Sequence, residues 1–376
     1  MQNKTNHPAI FFLLTILLLI NGSASAADIE ESTAEMIREL GLQESKVPSR
    51  DMTGWRKPEK ILVVGTTPGL VKSLQQVAGG AEIISVQEYF PSSLPDVKAD
   101  VVFGICRPII MKAARYASWV HSLSAGVEGC MNHPVLKENP DLIITNNKRT
   151  ASPSLAEHAI IMVMMLEHGM QVYIANQLNK KWARGAFPPG KIRELRGRTL
   201  LVAGLGGIGT QVALRAHALG MKVIATRNSS RRGPDYVDYV GLPDELLAMA
   251  ARADYVVNCL PLTPETTGLF DANFFRAMKN DAYFVTIGRG KSVVTDDLVA
   301  ALKGGELAGA GLDVTDPEPL PPDHPLWGME NVIITPHSGG ITSDSNKRRD
   351  LLERENLRRY VNGEPLLNMV DVKKGY

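Results

Sequence analysis

The segment Gly204-Leu205-Gly206-Gly207-Ile208-Gly209 constrains this chain more than any other, because it stands directly between the apolar run Leu200 to Ala203 and a helical pattern from Thr210 to Leu219. Alone, glycines at GxGxxG spacing are a weak signal. Between a strand and a helix they acquire separate tasks: Gly204 permits the tight turn, Gly206 lets backbone approach a pyrophosphate, and Gly209 lets helix and sheet pack closely. The helix N-terminus then faces the phosphates with unpaired N–H groups. The plain alternative is a structural glycine turn.

That run belongs to a series. Thr199 to Ala203, Lys222 to Ala225, Tyr255 to Leu260, Ala282 to Ile287, Gly309 to Val314 and Val332 to Thr335 alternate with helical patterns, and six such strands fit one complete dinucleotide-binding sheet. An earlier series, Ile61 to Val64, Glu82 to Val86, Val101 to Ile105, Trp119 to Leu123 and Leu142 to Thr145, predicts a second parallel sheet. Between them Ser152-Pro153 predicts a helix start, with a capping side chain followed by proline in the first turn. The charged pattern Asp344 to Tyr360 predicts a final helix that has to pack somewhere. At 376 residues, two domains are the natural division. A 44% hydrophobic and 22% charged composition argues against a disordered chain, and a formal charge of +1 gives no field to draw in nucleic acid or anionic lipid.

The first residues differ. Lys4, the apolar run Ala9 to Ile20 and the small residues Ala24-Ser25-Ala26 form a secretory signal pattern, with cleavage expected before Ala27. The run falls short of the roughly 20 residues that span a bilayer, so no stable membrane anchor is expected. The mature chain would be periplasmic or extracellular. Residues 27–58, with a charged helical pattern from Ile29 to Leu40, read as an extension ahead of the fold. Three cysteines are not a disulfide framework. Cys259 lies in an apolar run and reads as a packed thiol; Cys106 and Cys130 can pair in an oxidising compartment, but the sequence does not give their separation.

After the second strand of the glycine-turn series, an NAD enzyme usually carries a carboxylate for the ribose hydroxyls. Here the chain reads Ala225-Thr226-Arg227-Asn228-Ser229-Ser230-Arg231-Arg232. Arg227 and its neighbours can hold a 2′-phosphate by charge-assisted hydrogen bonds, so NADP(H) is favoured over NAD(H); a solvated basic loop is the alternative.

Three further stretches complete a pattern. Pro261 to Gly268 with Ile287-Gly288-Arg289-Gly290, Leu312-Asp313-Val314 through Asp316-Pro317-Glu318-Pro319, and Thr335-Pro336-His337-Ser338-Gly339-Gly340 stand in the order and approximate spacing of the D-isomer-specific 2-hydroxyacid dehydrogenases. The resemblance covers about residues 58 to 376. Ser124-Ala125-Gly126-Val127-Glu128 and Pro365-Leu366-Leu367-Asn368 look most like the glyoxylate and hydroxypyruvate reductase branch.

The resemblance implies an α/β fold of two doubly wound parallel-sheet domains. The Rossmann cofactor domain (152–335) is inserted into a flavodoxin-like substrate domain (59–151 and 336–376), and family members are usually homodimers. It implies hydride transfer between NAD(P)H and a small 2-oxo acid / D-2-hydroxy acid pair. His337 would exchange a proton with the reacting oxygen, as an imidazole titrating near neutrality can. Glu318 would orient that imidazole and favour its protonated form. Arg289 would grip the substrate carboxylate with its planar fork and polarise the carbonyl, and the Ala125 and Gly126 amides would give a second anchor. Cofactor contacts are expected from Gly204, Gly206, Gly207, Ile208, Gly209, Arg227, Pro261, Thr267, Ile287, Arg289, Asp313, His337 and Gly339, with Asp313 on the nicotinamide carboxamide.

Arg107, after a strand at the expected cleft, reads equally as a substrate contact or a structural arginine. His158 reads as a packing residue, and no grouping of His and Cys resembles a metal site. Two rivals stand beside this reading: a nucleotide-sensing binding module like the corepressors that share the fold, and a formate or phosphite dehydrogenase. A sensor need not retain Arg289, Glu318 and His337 together, and the formate type is expected to carry glutamine in place of Glu318. Export sets a puzzle of supply, since little free NADP(H) is found outside the cytoplasm: the cofactor is trapped on folding, the leader is not always used, or activity is vestigial.

Overall fold

The computed structural model describes residues 26–372 except Asn132 and Pro189. The expected leader, apart from its last residue, lies outside the described residues. Two parallel sheets organise the chain. The first holds β1 (Lys60–Val64), β2 (Glu82–Val86), β3 (Val101–Gly104), β4 (Trp119–Ser122) and β5 (Ile143–Asn146) in the order β2-β1-β3-β4-β5, a flavodoxin-like order. The second holds β6 (Thr199–Ala203), β7 (Lys222–Thr226), β8 (Tyr239–Gly241), β9 (Tyr255–Asn258), β10 (Tyr283–Thr286), β11 (Gly309–Leu312) and β12 (Val332–Ile334) in the order β12-β11-β10-β9-β6-β7-β8. This sheet has seven strands rather than the six expected. The addition, β8, is a three-residue edge strand with exposed Tyr239, too short to show a period.

Central strands are buried on both faces, as crossover helices on each side require: Leu200, Leu201, Val202 and Ala203 are fully buried, as are Val101, Val102 and Phe103. The strand order reverses between β6 and β9, so the crevice above their carboxyl ends is where such sheets hold ligands. The glycine turn leaves β6 at that point.

The Ser152–Glu167 helix begins where the sequence places it, but Ser152 does not cap it. Ala151 is the N-cap residue, without a side-chain bond, and Ser152 Oγ lies 3.1 Å from where a Cβ on Gly207 would stand. Ser152 faces the glycine turn instead. The Ser343–Asn362 helix returns to the first sheet, burying Leu357 and stacking Tyr360 on Trp119 with ring centroids 4.8 Å apart. The Ala26–Leu40 helix packs Met36 and Leu40 into a small core with Leu352 and Leu367, so this segment adheres to the substrate-side sheet. Cys259 is a buried free thiol. Among the described residues, no single helix is long and apolar enough to cross a membrane.

A buried polar chain crosses this region. His121 bonds Thr145 Oγ1 at 2.7 Å and Asn147 Oδ1 at 3.0 Å, and Asn147 Nδ2 donates to Glu353 Oε1 at 2.8 Å. Burial holds the Glu353 carboxyl up at about 8, against weaker opposing effects of the Asn147 bond and Arg349. A carboxyl raised on folding binds its proton more tightly in the native state, so stability falls as pH rises from its ordinary value of 4.5 through about 8. Glu353→Gln keeps an acceptor for Asn147 and cannot ionise. Its melting temperature is expected to exceed the wild type's at pH 9 and to match it within a few degrees at pH 5; equal melting curves at pH 9 would contradict a buried ionisation there.

Candidate active site

The glycine turn sets the floor. Gly204 takes a φ of +98°, which a side chain rarely adopts, and a Cβ at Gly209 would collide with the Gly204 carbonyl oxygen. Thr226, buried at the end of β7, clamps the turn: its Oγ1 accepts from Gly204 N–H at 3.2 Å and its carbonyl from Leu205 N–H at 2.8 Å. The Gly207–Ala218 helix starts without a side-chain cap, and a Cβ on Gly206 would meet nothing within 4 Å. Among the described residues no acceptor takes the N–H groups of Gly207, Ile208 or Gly209. Open space above uncapped amides is the arrangement a dinucleotide pyrophosphate fits.

Beyond β7, Arg227 stands half-buried with Nη1 on the Arg232 carbonyl at 3.0 Å, and among the described residues no carboxylate pairs with it. Arg231 does have one, Glu245 at 2.7 Å. Within the basic loop Arg231 is thus committed to a carboxylate, and Arg227 is left able to meet an anion. Thr267 Oγ1 donates to the Thr263 carbonyl at 2.8 Å, folding the 261–268 loop that brings Pro261 and Thr267 to the crevice rim, whereas Ile287 is buried below.

Asp313 follows β11 and is almost wholly buried. Its carboxylate accepts from Thr335 Oγ1 at 2.6 Å, Ser338 N–H at 3.0 Å and Gly339 N–H at 3.2 Å. His158 Nε2 bonds Thr335 Oγ1 at 2.9 Å and lies 3.5 Å from Asp313 Oδ1. His158 is a packing residue, as expected, but what it packs is this network: a Cβ on Gly339 would stand 2.8 Å from its ring. The network fixes the 335–339 turn and with it His337, whose φ of +52° is unusual for a non-glycine residue and marks a conformation imposed by its surroundings. His337 Nδ1 bonds Glu318 Oε1 at 2.7 Å, with 46% and 44% of the two side chains exposed. The bond occupies Nδ1 and leaves Nε2 directed away from Glu318, where it can hold or release a proton.

Arg289 leaves the end of β10. Its turn is tied down by Ser292 Oγ, which donates to the Arg289 carbonyl at 2.6 Å and itself accepts from buried Asn258 at 2.8 Å. The guanidinium reaches across to the first sheet: Nε donates to Glu128 Oε1 at 2.9 Å, and a Cβ on Gly126 would run into Nη2. The expected anchors Ala125 and Gly126 thus lie beside Arg289. Their carbonyls are engaged, Ala125's by Asn146 Nδ2 at 2.8 Å and Gly126's by Ser124 Oγ at 2.7 Å, while among the described residues their N–H groups find no acceptor. Two amides and a guanidinium side by side make a seat for a carboxylate.

Glu128 is a residue of this site to which sequence reasoning assigned no role; nothing in a motif tells that it meets a residue 161 positions away. Asn146 is likewise absent from the expected set. Arg107 is exposed, its guanidinium 4.8 Å from the Phe90 ring centroid, and is not joined to the other site residues by any hydrogen bond or ion pair. The next-door Cys106 is bonded to Cys130, with Cα atoms 5.1 Å apart, tying the loop after β3 to the turn that carries Gly126 and Glu128. No cluster of metal-ligating side chains occurs among the described residues.

A family model described as "D-isomer specific 2-hydroxyacid dehydrogenase, NAD binding domain" matches residues 160–339. A glyoxylate reductase of Korarchaeum cryptofilum is 34% identical over 236 residues, 61% of this chain and 69% of that protein. The chain belongs to the D-isomer specific 2-hydroxyacid dehydrogenase family. Another relative of the dehydrogenase, the mouse glyoxylate reductase/hydroxypyruvate reductase, is 38% identical over 168 residues, 45% of this chain and 51% of the mouse protein, so that match spans about half its length. The crystal structure of an NADPH-dependent glyoxylate/hydroxypyruvate reductase from Sinorhizobium meliloti, in complex with NADP and sulfate, superimposes with a TM-score of 0.71 at 28% identity, covering 85% of this chain and all of that one. Two doubly wound parallel sheets and NAD(P)-dependent oxidoreductase chemistry are thereby established for this dehydrogenase.

Proposed function

We propose that this dehydrogenase reduces a small 2-oxo acid of the glyoxylate or hydroxypyruvate type to the D-2-hydroxy acid, drawing preferentially on NADPH. The observation that carries the reading is the carboxylate seat of Ala125, Gly126 and Arg289 together with the Glu318–His337 pair, Arg289 following β10 and the pair following β11 and β12, neighbouring parallel strands of one sheet. The bound dinucleotide supplies the hydride. Arg289 and the two amides hold the substrate carboxylate, and Arg289 polarises the adjoining carbonyl. His337 gives its Nε2 proton to the carbonyl oxygen as charge develops there, and Glu318, on Nδ1, steadies the imidazolium. In oxidation the proton returns to Nε2. Purified protein incubated with glyoxylate or hydroxypyruvate tests this by loss of reduced nicotinamide absorbance; binding of NADPH without turnover of either acid would contradict it.

NADPH preference rests on Arg227, a cation beyond β7 that no carboxylate pairs with among the described residues. A charge-assisted hydrogen bond to a partly exposed phosphate contributes roughly 1–3 kcal/mol, about ten- to a hundredfold in affinity. Arg227→Ala is expected to remove that preference and change NADH kinetics less than twofold. Wild-type kcat/KM equal or higher with NADH would show Arg227 to be a solvated loop residue.

We further propose where the chain resides and how it assembles. The chain is exported and cleaved before Ala27; the N-terminal pattern and the Cys106–Cys130 bond, of a kind kept in oxidising compartments, support this. N-terminal sequencing of fractionated cells decides it, and full-length chain in the cytosol would defeat it. The dehydrogenase also forms a homodimer through the Ser152–Glu167 and Met170–Leu178 helices and the loop after them, where Ile161, Ile174, Leu178 and the 94% exposed Trp182 leave an apolar face open. Light scattering reads the mass directly, and a monomer at micromolar concentration would exclude it.

A further inference from the structure

Arg149 stands in the connector between β5 and the Ser152–Glu167 helix, outside every motif of the glycine-turn sheet. Its φ is +75°, in the left-handed region that long side chains rarely enter, so the surrounding structure imposes its direction. Its stem crosses the start of the glycine-turn helix: a Cβ on Gly207 would stand 2.8 Å from Arg149 Cγ. Its Nη1 donates to the Leu40 carbonyl at 2.9 Å, at the end of the Ala26–Leu40 helix. Among the described residues no carboxylate pairs with it. Burial, then the nearby charge of Arg227, holds its guanidinium below the usual arginine range, and burial with the charge of Arg149 does the same to the Lys148 ammonium. Partly buried cations gathered without an anion are unfavourable until one arrives.

We propose that Arg149 is a second arginine for the 2′-phosphate of NADP(H), acting with Arg227 and held in place by the N-terminal helix through the Leu40 carbonyl. This rests on the dinucleotide reading of the groove. The amides of Gly207, Ile208 and Gly209 would meet the pyrophosphate, whereas Arg149, packed on Gly207, lies by the glycine turn that Thr226 clamps, next to Arg227 at the position beyond β7 where a 2′-phosphate would be held. Residues 27–58 thereby acquire a part in cofactor choice: whatever displaces the Ala26–Leu40 helix also frees Arg149 from its aim.

Titrations of wild type, Arg149→Ala and Arg149→Lys with NADPH and with NADH, read by tryptophan quenching or calorimetry, test the assignment without turnover. Arg149→Ala is expected to weaken NADPH binding about tenfold and NADH binding less than twofold, with Arg149→Lys regaining part of the loss. A packing role would alter both cofactors alike. Equal loss for NADPH and NADH, or no change in either, would overturn the proposal while leaving the groove's identity intact. Wild type that binds neither cofactor would overturn the dinucleotide reading itself. If the alanine variant fails to fold, as judged by circular dichroism, the lysine variant carries the same comparison.

Discussion

His337→Asn is expected to lower kcat by about 10² to 10⁴ while NADPH affinity stays within twofold of wild type. Asparagine suits the site structurally. It is among the side chains that tolerate the left-handed backbone of this position, and its amide can donate to Glu318 in place of Nδ1–H. What it cannot do is release a proton to a carbonyl oxygen. The groups proposed to hold the dinucleotide, at the glycine turn, Arg227 and Asp313, are untouched, so binding and chemistry are expected to separate. Stopped-flow turnover and fluorescence titration on the same preparation measure both. Turnover near the wild-type rate would remove His337 from the mechanism.

Arg289→Ala is expected to reduce kcat/KM for the 2-oxo acid by about 10² to 10⁴, through higher KM and lower kcat together. Two hydrogen bonds to a carboxylate at about 1.5–3 kcal/mol each account for that range. KM rises because the carboxylate loses its grip, and kcat falls because the carbonyl is no longer polarised. The fold should survive: Glu128 loses its partner, but its side chain is 37% exposed and water can solvate it. Arg289→Lys restores charge but not the two-pronged geometry, so it should recover only part of the loss. An unchanged KM in Arg289→Ala would mean that the carboxylate sits elsewhere.

Much of this architecture was legible because strands buried on both faces read as continuous apolar runs. Leu200 to Ala203 and Val101 to Phe103 declared themselves in this way. Edge strand β8 did not, since three residues with Tyr239 outward carry no period. Ser152 has the composition of a helix cap, yet tertiary contact with Gly207 turned it to packing. His337, Glu318, Arg289 and Asp313 were legible as motif positions. The groups that hold them were not: His158 on Thr335, Asn258 on Ser292 and Glu128 on Arg289 act between elements far apart in the chain, and no local spacing encodes such contacts. Arg149 is of the same kind, placed by a carbonyl 109 positions away. The Cys106–Cys130 pair was open from spacing alone and was closed only by the approach of two loops.

The most direct test of the central claim is a panel of 2-oxo acids offered with NADPH and with NADH to protein beginning at Ala27, following reduced cofactor and the configuration of the product. Turnover of glyoxylate or hydroxypyruvate is expected, with higher kcat/KM for NADPH than for NADH and D-glycerate as the sole product from hydroxypyruvate. Tight NADPH binding with no turnover of any 2-oxo acid would contradict it and favour a dinucleotide sensor built on a dehydrogenase fold.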